Sequence, residues 1–419
     1  MLESIIIRDD NKRDDAHIGF LLLVRRSECF LFGHGPMTPT LLDVLILTGL
    51  NISASDRSYD LLSKATSKFQ TRNIGGWKSY IAKNAKTGSV ALREHIAFLN
   101  MWLEKYIFCG KTVGPTVNTL KMVETLAEGN MIPLGKHLLG SVYSLLHQVS
   151  VKLRTEQSIS NLGGPWWFIQ LWLNMYMHKT MGIKLSEMSC PSEEFNEEED
   201  PITRRCTSFG EAAIMIDNDS NVFGKTDFFK CFYNGFTEDS TIWFAYHDDN
   251  KKYENPFKLN LDSWRDDEEA TNIMREAISP RILPANFTSG KSAIGYEFCY
   301  TSVVARQVGF VQVPPFPYFV NKVQARIPIG NALAYNRLKN LEPIIDMTQL
   351  ADWQVASVTT IPFAQWWSEW QEHLFCGPLR IYCIALNENY QGTDDEVRTE
   401  ISLFYFPSYI TSLHSNKHS

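Results

Sequence analysis

No C-x-x-C pair occurs in the 419 residues, and the nearest two of the eight cysteines, Cys376 and Cys383, have six residues between them. Zinc-ribbon spacing and a disulfide-dense scaffold are therefore absent, and thiols scattered in this way suit a reducing compartment. Ten histidines supply no H-E-x-x-H motif, and none stands with a carboxylate at metal-ligand spacing. No basic excess is present: 40 Lys and Arg against 47 Asp and Glu leave a formal charge of −7, which announces no nucleic-acid binder but leaves room for a local basic face. No apolar run is long enough to cross a bilayer. His17–Val24 is far too short, and Met1–Ile5 lacks the basic-then-apolar order of a leader. A soluble intracellular protein is expected, in which the sequons at Asn51, Asn218 and Asn286 carry no meaning. Repeats at solenoid periods are missing too.

Two short motifs fail on inspection. Ser289-Gly290-Lys291-Ser292 resembles the end of a phosphate-binding loop, but Ala285 stands where that loop needs its opening glycine. The G-x-S-x-G elbow of a serine hydrolase is not formed either, because no glycine closes Gly290-Lys291-Ser292-Ala293-Ile294. No lysine sits in a context that marks a Schiff-base nucleophile. A metal, a cofactor and a catalytic residue are accordingly not expected.

What the chain does have is an ordinary globular composition, 44% hydrophobic and 21% charged, with an aromatic share of 12%. Its eleven tryptophans cluster at Trp166, Trp167 and Trp172 and again at Trp366, Trp367 and Trp370. From Trp166 to Met177 only Gln170 and Asn174 are polar and nothing is charged. Gly163-Gly164 stops what precedes, and Pro165 suits the first position of a helix. A helix apolar nearly all round belongs in a core, packed on more than one side. Gln170, Asn174 and His178 recur every fourth residue and share one stripe. The stripe is either a binding surface or a row of core groups that find hydrogen-bond partners inside the fold.

Taken in order, residues 1–16 are charged and expected to be loose, and 17–24 form a short buried element. Thr38 to Leu50 reads as a short helix with Thr38 as cap, Pro39 at its first position, Asp43 near its positive end and Gly49 closing it. Helices are expected from Leu92 to Ile107, from Thr116 to Ala127, and over about five turns from Leu134 to Leu153. Together with the tryptophan helix they make 17–189 a helical lobe. An acidic run within 190–204 is expected to be a solvated linker. A mixed lobe over 205–400 follows, with a helix at 225–233, an aromatic strand at 241–246, a helix opened by Pro362 and a strand at 380–386. Residues 401–419 read as a polar tail. The predicted class is mainly α with short β elements (α+β), a helical N-terminal lobe packed on a mixed C-terminal one.

One stretch invites a DNA reading. Thr40–Val44 followed by Thr48–Asn51 resembles the first helix and turn of a lac-repressor-type helix-turn-helix, with a second helix starting near Ser55 and offering Arg57 and Lys64 to DNA. Leu45 sits where that motif wants a small residue, so an ordinary capped helix is the competing reading.

Four stretches carry a wider resemblance. They are Thr38 to Leu50, Glu94 to Leu99, Gly164 to Trp172, and Val304 to Phe310 followed by Gln312 and Pro314. In this order, over about residues 20 to 375, the chain resembles the plant mobile domain family, often labelled "aminotransferase-like, plant mobile domain", which includes the maintenance-of-meristems proteins. Val311 departs from the family, which more usually has a charged or polar residue there. The resemblance implies a plant nuclear protein, host-encoded or carried by a transposable element. Its expected roles are in meristem maintenance, gene expression and transposon silencing, with a phosphatase-like protein as partner and DNA or chromatin as a further one. It supplies no catalytic residue, and the label finds no pyridoxal-phosphate lysine in this chain. A non-enzymatic interaction module is the leading expectation; sequence-specific DNA binding through 38–64 and a cryptic transferase are the alternatives. Arg306 and Gln307 are the best surface candidates, because core packing alone explains poorly an Arg and a Gln set among apolar neighbours. The opposing reading is a buried arginine paired with an acid.

Overall fold

The computed structural model describes residues 29–375 apart from 33–34, 56, 87, 156, 160–161, 179–182, 196–200, 217–243, 247–263, 289, 324–326, 351–355 and 357. Strands β1 (Phe30–Phe32) and β2 (Gly35–Met37) pair antiparallel and deliver the chain to α1 (Leu41–Thr48). The cap of α1 is Thr40, not Thr38: the Thr40 hydroxyl accepts from the Asp43 N–H while the Asp43 carboxylate accepts from the Thr40 N–H. Thr38 has no acidic residue three positions on to complete such a capping box, and its backbone groups are bonded instead to the Gln307 side chain. Gly49 ends α1 in the left-handed region at φ 68°, as its position predicts.

Helices α2 (Trp77–Asn84), α3 (Leu92–Met101) and α4 (Leu120–Ala127) follow, with α3 running into a π-helical turn over Trp102–Ile107. The long helix is α5 (Leu134–Arg154), and the tryptophan helix is α6 (Trp166–Met177). The i, i+4 spacing foretells the core face of α5: Leu138, Val142, Leu145 and Val149 are all buried. Gly140 lets α5 lie directly on a later strand, since a Cβ there would overlap the carbonyl of Pro284.

The stretch 190–204, expected to be a solvated linker, instead carries strands β3 (Ser189–Phe195) and β4 (Pro201–Arg205), paired antiparallel with Ser189 opposite Arg205 and Cys190 opposite Arg204. The ladder is made by backbone groups, which an acidic composition does not reveal. A two-stranded sheet also has free edges on which prolines are tolerated. Then come α7 (Phe209–Met215), α8 (Glu268–Ile278) and the pair β5 (Arg281–Ala285) and β6 (Gly295–Cys299). A 3-10 segment over Thr301–Val308, helix α9 (Ala332–Lys339) and helix α10 (Ile361–Phe375) complete the order. The class is mainly α with short β elements.

One core cluster runs from Phe30 to Trp367 and so joins both halves of the sequence, with a smaller cluster around Ile282, Phe298 and Phe319. Helix α6 sits in the main cluster. Phe168, Trp172, Met175 and Tyr176 are buried, and the Trp172 ring stacks on Phe30 at 5.6 Å between centroids. Each such side chain withdrawn from water contributes roughly 1.5–3 kcal/mol. Among the described residues no helix is long and apolar enough to cross a membrane. The expectations for 1–24, 225–233, 380–386 and 401–419 lie outside the described residues. So does the first half of 241–246, whereas Phe244–Tyr246 form a bend and turn rather than a strand.

Candidate functional site

Two of the four resemblance-carrying stretches, together with the helix that a third one opens, converge on one buried carboxylate. Asp43, in the first turn of α1, is fully buried. Its Oδ2 accepts from the Thr40 N–H and hydroxyl, both at 2.7 Å. Its Oδ1 accepts from the hydroxyls of Tyr246 at 2.7 Å and Tyr176 at 3.1 Å. Gln307 closes the arrangement. Its side-chain amide accepts from the Thr38 N–H and donates to the Thr38 carbonyl, both at 2.9 Å, while its own carbonyl lies 3.3 Å from the Tyr176 hydroxyl. Burial raises the Asp43 pKa to about 6 against the pull of those hydrogen bonds. Burial, and then the Asp43 charge, push both tyrosines well above their ordinary value. The result is a closed polar knot that ties α1, α6, the Tyr246 turn and the 3-10 segment together. Chemically it acts as a lock, since its donors and acceptors are spent on one another.

Arg306 and Gln307, expected on the surface, are 3% and 0% exposed, so that placement is corrected. The guanidinium of Arg306 lies 5.1 Å from the centre of the Phe363 ring, a cation–π contact that fastens α10 to the 3-10 segment. Gly35, at φ 136°, leaves the room that the guanidinium fills; a side chain there would overlap it. Burial lowers the Arg306 pKa to about 9. Apolar neighbours and a charged group in one motif marked a buried anchor, the opposite of an exposed contact.

The Gln170–Asn174–His178 stripe also turns inward. Gln170 Nε2 donates to Asn174 Oδ1 at 2.7 Å, and Asn174 Nδ2 donates to the Ala213 carbonyl at 2.9 Å. His178 Nδ1 lies 2.6 Å from the Met175 carbonyl. Asn174 and His178 are buried, so the stripe is the joint between α6 and α7 and not an open surface. Arg57 and Lys64 are exposed, but the helix that should carry them is absent: between them lies a single 3-10 turn, Asp60–Leu62. Helix α1, buried at each position from Leu41 to Leu47, has no face left to cross a DNA backbone. The helix-turn-helix geometry is thereby overturned. Gly290–Ser292, described between β5 and β6, open no helix, as the missing glycine foretells.

Open grooves occur among the described residues. One, of about 580 Å³, is lined by Ser53, Glu268, Glu269, Asn272, Arg275 and Glu276. Glu276 is held by Lys136 at 2.7 Å and by Arg281 through two bonds at 2.9 Å, and its pKa lies below the ordinary carboxylate range. Burial alone would raise that pKa; the two cations outweigh it. Another, of about 340 Å³, lies between α5 and the β5–β6 pair, with Ser144, His147 and Glu297 on its walls.

Exposed apolar side chains flank a bridge that follows the 3-10 segment. Gln312, fully buried, bridges to Thr359: its N–H donates to the Val358 carbonyl at 2.8 Å, and the Thr360 N–H donates back to its carbonyl at 3.0 Å. On either side of it Val311 and Val313 are 40% and 50% exposed, with Val358 at 57% and Ile361 at 77%. Sequence reasoning noted Val311 as unusual but did not foresee this rim, because its second half is contributed some 45 residues later in the chain. It also missed Tyr176 and Tyr246 as Asp43 partners; no spacing rule links them. A third grouping arises at the β3–β4 pair, where ligand atoms of Cys190, Cys206 and Glu211 all lie within 4.8 Å of one another.

The sequence model of the family described as "Plant mobile domain" matches residues 24–368, most of the chain. No curated protein and no solved structure matches it.

Proposed function

Because the chain belongs to the plant mobile domain family, we propose that it is a non-enzymatic scaffold that binds a protein partner in the plant nucleus. In that setting it serves meristem development, gene expression and the silencing of transposons. The supporting observation is the set of exposed apolar side chains Val311, Val313, Val358 and Ile361 on either side of the Gln312–Thr359 bridge. Asp43, Arg306, Gln307 and Gln312, all from the resemblance-carrying stretches, face inward and leave the apolar side chains outside, which is the division of labour a docking scaffold needs: a locked interior and an apolar exterior patch. Side chains of this kind, when a partner covers them, supply binding free energy through the water they release.

The test is co-expression with the phosphatase-like protein that the family resemblance implies. Wild-type chain is expected to co-purify with it. A Val358→Asp, Ile361→Asp double variant, folded by circular dichroism, is expected to lose at least tenfold in affinity. Undiminished capture by that variant, or no capture by the wild type, contradicts the reading.

A further inference from the structure

The face of the β3–β4 pair that meets α7 gathers two thiols and a carboxylate. Cys190 lies opposite Arg204 in the ladder, and Cys206 follows two residues later, its N–H bonded to the Met188 carbonyl at 3.0 Å. Successive side chains alternate across a strand, so Cys190, Arg204 and Cys206 share one face. Glu211, in the first turn of α7, reaches the same spot, and its Oε2 lies 3.9 Å from the Cys190 sulfur. Both cysteines are buried. The carboxylate is oriented from outside by Arg204, whose guanidinium forks onto it at 2.5 and 3.0 Å, and by the Thr207 N–H at 2.8 Å.

We propose that Cys190, Cys206 and Glu211 form a zinc-binding site with a fourth position open to water. Zinc bonds sulfur at about 2.3 Å and carboxylate oxygen at about 2.0–2.2 Å, so neighbouring ligands of a tetrahedron stand roughly 3.5–3.8 Å apart. The 3.9 Å separation and the 4.8 Å outer limit require only side-chain adjustment to reach that geometry. Charge agrees as well. Two thiolates and one carboxylate carry three negative charges, and a dication with the Arg204 guanidinium returns the site to neutrality. On binding, each thiol releases one proton and forms a sulfur–metal bond; Glu211 Oε2 gives up its Cys190 and Thr207 hydroxyl contacts to the metal, while Arg204 and the Thr207 N–H keep the carboxylate in line. Thiolate donors select a soft or borderline cation over magnesium or calcium. The consequence is a staple between the β3–β4 pair and α7, and through Asn174 and Ala213 to the central helix α6.

The experiment uses the full chain, reduced and stripped with chelator, then titrated with Co²⁺ as a spectroscopic probe and back-titrated with Zn²⁺. One equivalent of cobalt should give thiolate-to-cobalt charge-transfer absorption that zinc abolishes. Cys190→Ser and Cys206→Ser should each lose most of that absorption, whereas Glu211→Gln should keep it with at least tenfold weaker binding. Zinc-edge X-ray absorption on the wild type, which needs no variant to fold, should count two sulfur and two lighter neighbours. Absence of the absorption in the wild type, its survival in Cys206→Ser, or a different sulfur count overturns the proposal. So does a Cys190–Cys206 disulfide that persists under reductant and excludes the metal.

Discussion

Replacing Asp43 by asparagine is the sharpest probe of the knot. The carboxylate is entirely buried, and its pKa rises from 3.8 to about 6 because burial outweighs the four hydrogen bonds that favour the charged form. A raised pKa in the folded state means that the fold holds this proton more tightly than the unfolded chain does. The stability it contributes is therefore complete below about pH 4 and is lost as the pH rises through about 6. A shift of about two units corresponds to about 3 kcal/mol. Asparagine keeps the shape but cannot ionise. Its oxygen can accept from Thr40 and its amide can donate to the two tyrosine hydroxyl oxygens, so the variant still folds. Urea unfolding of both proteins, followed by circular dichroism from about pH 4 to about pH 7, gives the difference in stability at each pH. Subtraction cancels the carboxylates common to both, including Glu211 and Glu276, whose pKa values are lowered. Wild type should lose about 3 kcal/mol relative to Asp43→Asn across that window. A difference that is constant with pH, or that moves in favour of the wild type, refutes the argument.

Three further outcomes follow from the packing. Trp172→Ala should cost about 3–5 kcal/mol in urea unfolding, and Trp167→Ala less, because Trp172 is buried outright while Trp167 is half-buried with its indole N–H bonded to the Ile107 carbonyl at 3.0 Å; the reverse order contradicts the placement of α6. Glu276→Gln strands the cations of Lys136 and Arg281, each 5% exposed, and should cost about 3–5 kcal/mol; a loss below about 1 kcal/mol would show that the triad matters little. In a gel shift with duplex DNA, binding is expected to be weak and without steep salt dependence, since Arg57 and Lys64 flank a turn instead of riding a recognition helix. Strong binding that collapses with salt and is flattened by Arg57→Ala with Lys64→Ala would restore the DNA reading.

Much of the fold was legible because local physics governs it. The uncharged run from Trp166 to Met177 had no place but the interior, and the spacing of Leu138, Val142, Leu145 and Val149 needed a helix with one buried face. Gly49 closed α1 where a left-handed residue was required. Capping was harder. Thr38 and Thr40 are both cap residue types; Thr40 is used because Asp43, three residues on, completes a capping box with it, while the backbone of Thr38 is held by Gln307, 269 residues away.

The site was less legible, for the same reason. Residue type told that Arg306 and Gln307 were unusual, and that Gln170, Asn174 and His178 would lie on one stripe. Whether those groups faced solvent or one another depended on what packed against them. Amphipathic periodicity, the Gly49 stop of α1 and family membership belong to the sequence alone, because each is set by neighbours a few positions apart or by the order of whole motifs. The pairing of Asp43 with Tyr246, the apolar rim built from 311–313 and 358–361, and the meeting of Cys190 with Cys206 and Glu211 belong to the tertiary structure. Contacts between distant residues form only when the chain folds back on itself, and nothing in the local spacing of these residues encodes that return.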